Sequence, residues 1–156
     1  MKITLLVVGK TTDAHIEALL QDYQKRLVHY VPFNIAVISE LKNTKSLTSE
    51  QQKQAEGELI LRQITPSTDM ILLDERGKEY RSIEYADYLQ KKMSSGRDVV
   101  FVVGGPYGFS QAVYERANGK ISLSKMTFSH QMVRLFFVEQ IYRAMTILRG
   151  EPYHHE

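Results

Sequence analysis

Val99-Val100-Phe101-Val102-Val103 contains no polar residue. Successive side chains of a strand point to opposite faces, so such a run leaves no face for water. Ile3 to Val8 is apolar or β-branched throughout, and Met70 to Leu73 repeats the pattern. Between these runs the apolar residues change period. Ile16, Leu19, Leu20, Tyr23, Leu27 and Tyr30 recur near 3.6, as do Tyr85, Ala86, Leu89 and Met93. Strands buried on both faces and alternating with amphipathic helices require a mostly parallel sheet covered by helices on both sides. The fold class is α/β.

The remaining elements follow from their punctuation. Thr12 or Asp13 caps the first helix, which Pro32 ends, and Ile35 to Ile38 forms a second strand. Thr48 and Gln51 make a capping box for a helix to about Ile64. Gly57 lies inside it, serving either close packing or nothing in particular. The third strand, Met70 to Leu73, runs into a turn at Asp74-Glu75-Arg76-Gly77-Lys78. Ser82 caps the next helix, and Ser94-Ser95-Gly96 stops it. Beyond the fourth strand, a short helix from about Gln111 to Ala117 takes Gly119 as a left-handed cap, and Ile121 to Ser124 is the fifth strand. The last helix spans about Gln131 to Arg149 and stops at Gly150 and Pro152. Its apolar residues wrap more than one face, which a subunit interface would explain. With no repeat and no linker-like stretch, residues 1–156 are expected to form a single domain.

Composition limits the partners. Twenty basic against 18 acidic residues leave a net charge of +2, too little for indiscriminate binding to nucleic acid, and no DNA partner is expected. The apolar run after Met1-Lys2 is too short for a signal peptide core or a membrane span, and there is no cysteine for a disulfide or thiolate metal site. A cytoplasmic protein away from membranes is the expectation.

Three places can carry chemistry. Val103-Gly104-Gly105-Pro106-Tyr107-Gly108 follows a buried strand at the carboxyl edge of the sheet, where α/β proteins bind ligands. It is neither a GxGxxG fingerprint nor a Walker loop, so a nucleotide-type loop and a tight turn needing positive φ both remain open. Leu123-Ser124-Lys125-Met126-Thr127-Phe128-Ser129-His130 joins the fifth strand to the last helix. Its apolar members could grip a purine, and a histidine at a helix N-terminus has its protonation disfavoured; the plain alternative is a connection with core residues and a surface cap. The tail, Glu151-Pro152-Tyr153-His154-His155-Glu156, carries a phenol, two imidazoles and two carboxylates after the helix has ended. Adjacent residues do not share one coordination sphere easily, so no metal is assigned. Arg143 either faces this region or is a solvated helix charge.

Taken together, VVGGPYG, LSKMTFSHQMVR, EQIYRA and RGEPYH, with MKITLLVVGK and DERGK in order before them, resemble the RlmH family of ribosomal RNA methyltransferases of the SPOUT class over essentially the whole chain. The resemblance implies a SPOUT-type α/β fold with a C-terminal trefoil knot, a homodimer, and S-adenosylmethionine (AdoMet) bound in a bent shape. It places the cofactor at Leu73, Gly104, Leu123, Ser124, Lys125, Met126, Thr127 and Phe128. Leu73 would otherwise read as plain core. The implied reaction is methylation of N3 of a pseudouridine in 23S ribosomal RNA of the assembled ribosome. His130, Arg143, Tyr153 and His154 are the catalytic candidates: His154 or Tyr153 assists deprotonation of N3, and Arg143 stabilises charge on the base carbonyls. The rival is a non-catalytic ribosome-associated RNA-binding protein that keeps the fold. Ser129 stands where the resemblance leads one to expect proline, and is expected to loosen the loop.

Overall fold

The computed structural model describes residues 1–156. In chain order the elements are β1 (Ile3–Val8), α1 (Ala14–Leu27), β2 (Phe33–Ile38), α2 (Ser49–Arg62), β3 (Asp69–Glu79), α3 (Ser82–Ser94), β4 (Val99–Val103), α4 (Gln111–Arg116), β5 (Gly119–Ser122) and α5 (Met132–Leu148). All five strands pair in parallel, in the order β2-β1-β4-β3-β5. Parallel neighbours need a crossover, and right-handed crossovers send leftward and rightward connections over opposite faces. α1 and α3 therefore share one face, and α2 and α4 the other.

Two cores result. Ile3, Leu5 and Val7 point into a cluster with α1, α3 and α5, whereas Leu6 joins Leu72 and Val102 beneath α2 and α4. α5 packs against both α1 and α3. Asp13 caps α1 through His15 N and Ile16 N, and Thr48 and Gln51 form both halves of a capping box on α2.

Several boundaries differ from the sequence reading. α1 stops at Leu27, so Tyr30 lies beyond it. Gly119 is no left-handed cap: α4 ends on extended Ala117 and Gly119 opens β5, which finishes at Ser122. The DERGK segment belongs to β3, where the register on β5 breaks so that Leu73 and Lys78 both face Ile121. Gly77 permits this, because a Cβ there would sit 2.6 Å from the Ile121 backbone. Gly57 serves close packing, since a Cβ would press on Ser110 and Val113 of the opposing turn.

The sheet edge next to β3 is β5, yet α5 starts at the far side of β4. Gln131 accepts from Thr12 N at 2.7 Å, and Arg134 bonds the carbonyls of Val8 and Gly9 at the end of β1. Residues 123–131 thus cross the carboxyl ends of β3 and β4.

Candidate active site

That crossing roofs a cavity of about 400 Å³ at the carboxyl edge of the sheet. Leu73 ends the buried part of β3, Gly104 and Gly105 follow β4, and the 123–128 segment closes the other side. Leu73, Gly104, Leu123, Ser124, Met126, Thr127 and Phe128 all line it, as does His130. Lys125 does not; its side chain is 84% exposed and reaches toward Glu79 at 3.8 Å.

The glycine loop is built for space more than for unusual backbone angles. Only Gly108 has positive φ, at 84°. A Cβ on Gly104 would lie 3.1 Å from the Phe109 ring, and one on Gly105 would overlap the Glu56 carboxyl. At the rim, Tyr114 hydrogen-bonds Asp74. Burial and that bond push the Tyr114 phenol up to about 12.

Ser129 anchors the end of the loop. Its hydroxyl accepts from Met132 N at 3.1 Å and its carbonyl from Val133 N at 3.0 Å, tying the connection to the first turn of α5. A serine oxygen satisfies a helix N–H that a proline side chain could not.

Two residues missed in the sequence complete the site. Glu56 of α2 is 4% exposed and stands beneath Gly105, with one carboxylate oxygen unpartnered. Burial raises its carboxyl above the ordinary value, partly offset by a 3.4 Å bond from Gln52. Arg134 of α5 is 1% exposed and donates to Val8 O, Gly9 O, Thr11 Oγ1 and His130 O. The legible signal was a charge on an apolar stripe: Glu56 precedes Ile60 by four residues, and Arg134 precedes Val138 by four.

The tail forms a separate cluster. Arg149 donates to His29 O, Tyr30 to Glu151 at 2.5 Å, and the chain folds back along α5. Tyr153 Oη donates to Glu139 Oε1 at 2.9 Å and meets Tyr23 Oη at 3.0 Å. Arg143 donates to the same Glu139 oxygen at 2.6 Å and to His154 Nδ1 at 3.1 Å. Burial, helped by the bonds to Tyr23 and Glu139, raises the Tyr153 phenol well above its ordinary value, so it is a proton donor at neutral pH. A guanidinium only donates, so His154 Nδ1 must accept, which places the proton of a neutral ring on Nε2. Nε2 has no hydrogen-bond partner and lies 3.8 Å from Glu156. Arg143, Tyr153 and His154 line no part of the 400 Å³ cavity of their own chain.

A family described as "Predicted SPOUT methyltransferase" matches residues 1–154. Proteins named ribosomal RNA large subunit methyltransferase H are similar over the full length of both chains: 60% identical in Bacteroides thetaiotaomicron, 59% in Bacteroides fragilis and 57% in Flavobacterium psychrophilum. The chain belongs to the RlmH family of SPOUT methyltransferases. It is a methyltransferase, of a class that draws its methyl group from AdoMet. No helix of this SPOUT methyltransferase is long and apolar enough to cross a membrane.

Proposed function

We propose that this protein methylates N3 of a pseudouridine in 23S ribosomal RNA of the assembled ribosome, in the cytoplasm, as a homodimer with AdoMet as methyl donor. The observation that carries the reading is the lining of a single cavity by Leu73, Gly104 and every residue of 123–128 except Lys125. Apolar Leu73, Leu123 and Phe128 suit a purine ring, and the missing Cβ atoms at 104 and 105 leave room for Phe109 and Glu56 to close against the loop that lines the cavity. The donor set therefore fits AdoMet, which when bound supplies an electrophilic sulfonium methyl.

Residues 1–156 are taken as one domain, because both cores share one sheet. The crossing of residues 123–131 over β3 and β4, with residues 74–77 looped out against Ile121, supports a trefoil knot at the cofactor site.

The protein's own chemistry is positioning and proton handling. The N3 proton must leave, and negative charge grows on the flanking carbonyls. Arg143 holds a guanidinium for that charge, and Tyr153 remains a neutral donor beside it. His154 is the base in this reading: Arg143 occupies Nδ1 in the packed tail, and releasing that bond frees a lone pair. His130 lines the cavity and orients the base from the other side.

Because Arg143, Tyr153 and His154 lie away from the cavity of their own chain, they serve the cavity of a second copy. Phe136, 41% exposed, and Met132, 37% exposed, give α5 an apolar face beside the 123–130 loop for that copy to cover.

Incubating ribosomes from cells lacking the enzyme with the purified protein and AdoMet, then mapping the modified nucleotide, tests the reading. N3-methylation of one 23S pseudouridine is expected. Methylation elsewhere would overturn the substrate, and absence of any AdoMet binding in calorimetry would favour a relic that only binds RNA.

A further inference from the structure

A second cavity, of about 280 Å³, meets the first at Gly105, Pro106 and His130. The two differ in chemistry. The first is rich in apolar side chains, whereas only two of the 11 residues around the second are hydrophobic. Glu40, Glu56, Gln52, Thr44 and Arg134 line it. Arg134 already spends four of its five N–H donors on Val8, Gly9, Thr11 and His130. The accepting groups are freer. Glu56 is 96% buried by its 4% exposure, and its Oε1 has no hydrogen-bond partner.

A buried carboxylate oxygen without a partner is costly, by the full desolvation of the group, unless something else fills the place. Glu56 also sits at the junction, against the Cα of Gly105. A ligand whose aromatic part occupies the first cavity and which turns past the glycine loop would present its next polar group to Glu56, with Glu40 behind. AdoMet has that division: an adenosine at one end and an α-amino acid at the other. Its ammonium supplies three donors and a positive charge, matching two carboxylates and an amide oxygen.

We propose that the second cavity receives the α-amino acid end of the cofactor and that Glu56 accepts a charge-assisted hydrogen bond from its ammonium group. This rests on the AdoMet reading of the first cavity. Gly105 is then required to leave room for the carboxyl. Glu56 fixes the bend of the cofactor at the loop, and His130, shared by both cavities, stands where the two halves of the ligand meet.

Calorimetry on the full chain separates this from a packing role. S-adenosylhomocysteine carries the ammonium, its analogue with hydrogen in place of the amine does not, and 5′-methylthioadenosine lacks the amino acid altogether. Glu56→Gln keeps the shape of the side chain and removes its charge. The variant is expected to bind S-adenosylhomocysteine at least tenfold more weakly and 5′-methylthioadenosine within twofold of wild type. Equal losses for both ligands, or no loss for either, would overturn the assignment. Should Glu56→Gln not fold, the wild-type protein decides: a tenfold weaker affinity for the deaminated analogue supports the proposal, and equal affinities refute it. Failure of the wild type to bind any adenosine ligand would instead remove the AdoMet reading on which the proposal stands.

Discussion

Arg134 holds a full positive charge where water does not reach, and burial accordingly lowers its affinity for its proton. Two of its four partners are the carbonyls of Val8 and Gly9 at the end of β1, so the residue links the start of α5 to the sheet. Replacing it with methionine keeps the volume but strands those acceptors. Arg134→Met is expected to lose about 3 kcal/mol in urea unfolding; full stability would show that solvent satisfies them. Asp69 illustrates charge at the surface. Burial works to raise its pKa, but hydrogen bonds from Lys92 at 3.2 Å and Arg97 at 2.8 Å outweigh it and hold the carboxyl below its ordinary value. A depressed folded pKa gives stability that is complete above the unfolded value and vanishes as pH falls through the folded one. Asp69→Asn should therefore cost about 1 kcal/mol at neutral pH, a gap that closes below about pH 4. A gap unchanged between pH 7 and 3 would exclude the ion pairs as its source.

The elements behave as their local chemistry demands where the chain is free to choose. β1 and β4 coincide with their apolar runs, and α2 begins at its capping box. Thr48→Ala is expected to lower stability by about 1 kcal/mol in a thermal melt, with Thr48→Ser close to neutral. Apart from the early stop of α1, disagreement falls where a distant partner sets the geometry. The DERGK turn became part of β3 because Ile121 passes close enough to pair twice, which no window around residue 77 encodes. Gly119 read as a helix stop from its place after α4; in the fold Asn118 bonds β3 through Met70 and Gly119 opens β5. Chain ends commonly fray, whereas this tail packs on α1, Tyr30 and α5 through four side-chain hydrogen bonds of Tyr153, His154 and Glu151.

At the scale of the molecule, the cavity at the carboxyl edge of the sheet and the tail cluster are distinct places in one chain. Removal of residues 153–156 is expected to leave S-adenosylhomocysteine binding intact and abolish methylation; undiminished turnover would end the tail's catalytic role. If the sites are completed between copies, chains lacking the tail should regain activity when mixed with Gly104→Val chains, whose cavity is filled from the Phe109 side. No recovery in demonstrated mixed dimers would place both parts of the site in the same chain. Phe136→Glu should sediment as a monomer and be inactive, since it puts a charge on the exposed apolar face proposed for a second copy.

The sequence by itself determined the α/β class, the strand runs and most caps. Those properties follow from periodicity and turn chemistry, which act within a few residues. Only the tertiary structure decided that Glu56 lies under Gly105, that Arg134 grips β1, and that Arg143, Tyr153 and His154 assemble away from the cavity. Each depends on residues that are distant in the chain. Burial then gives the meeting its energetic weight, because a charge costs little in water and much in the interior unless fixed partners offset it.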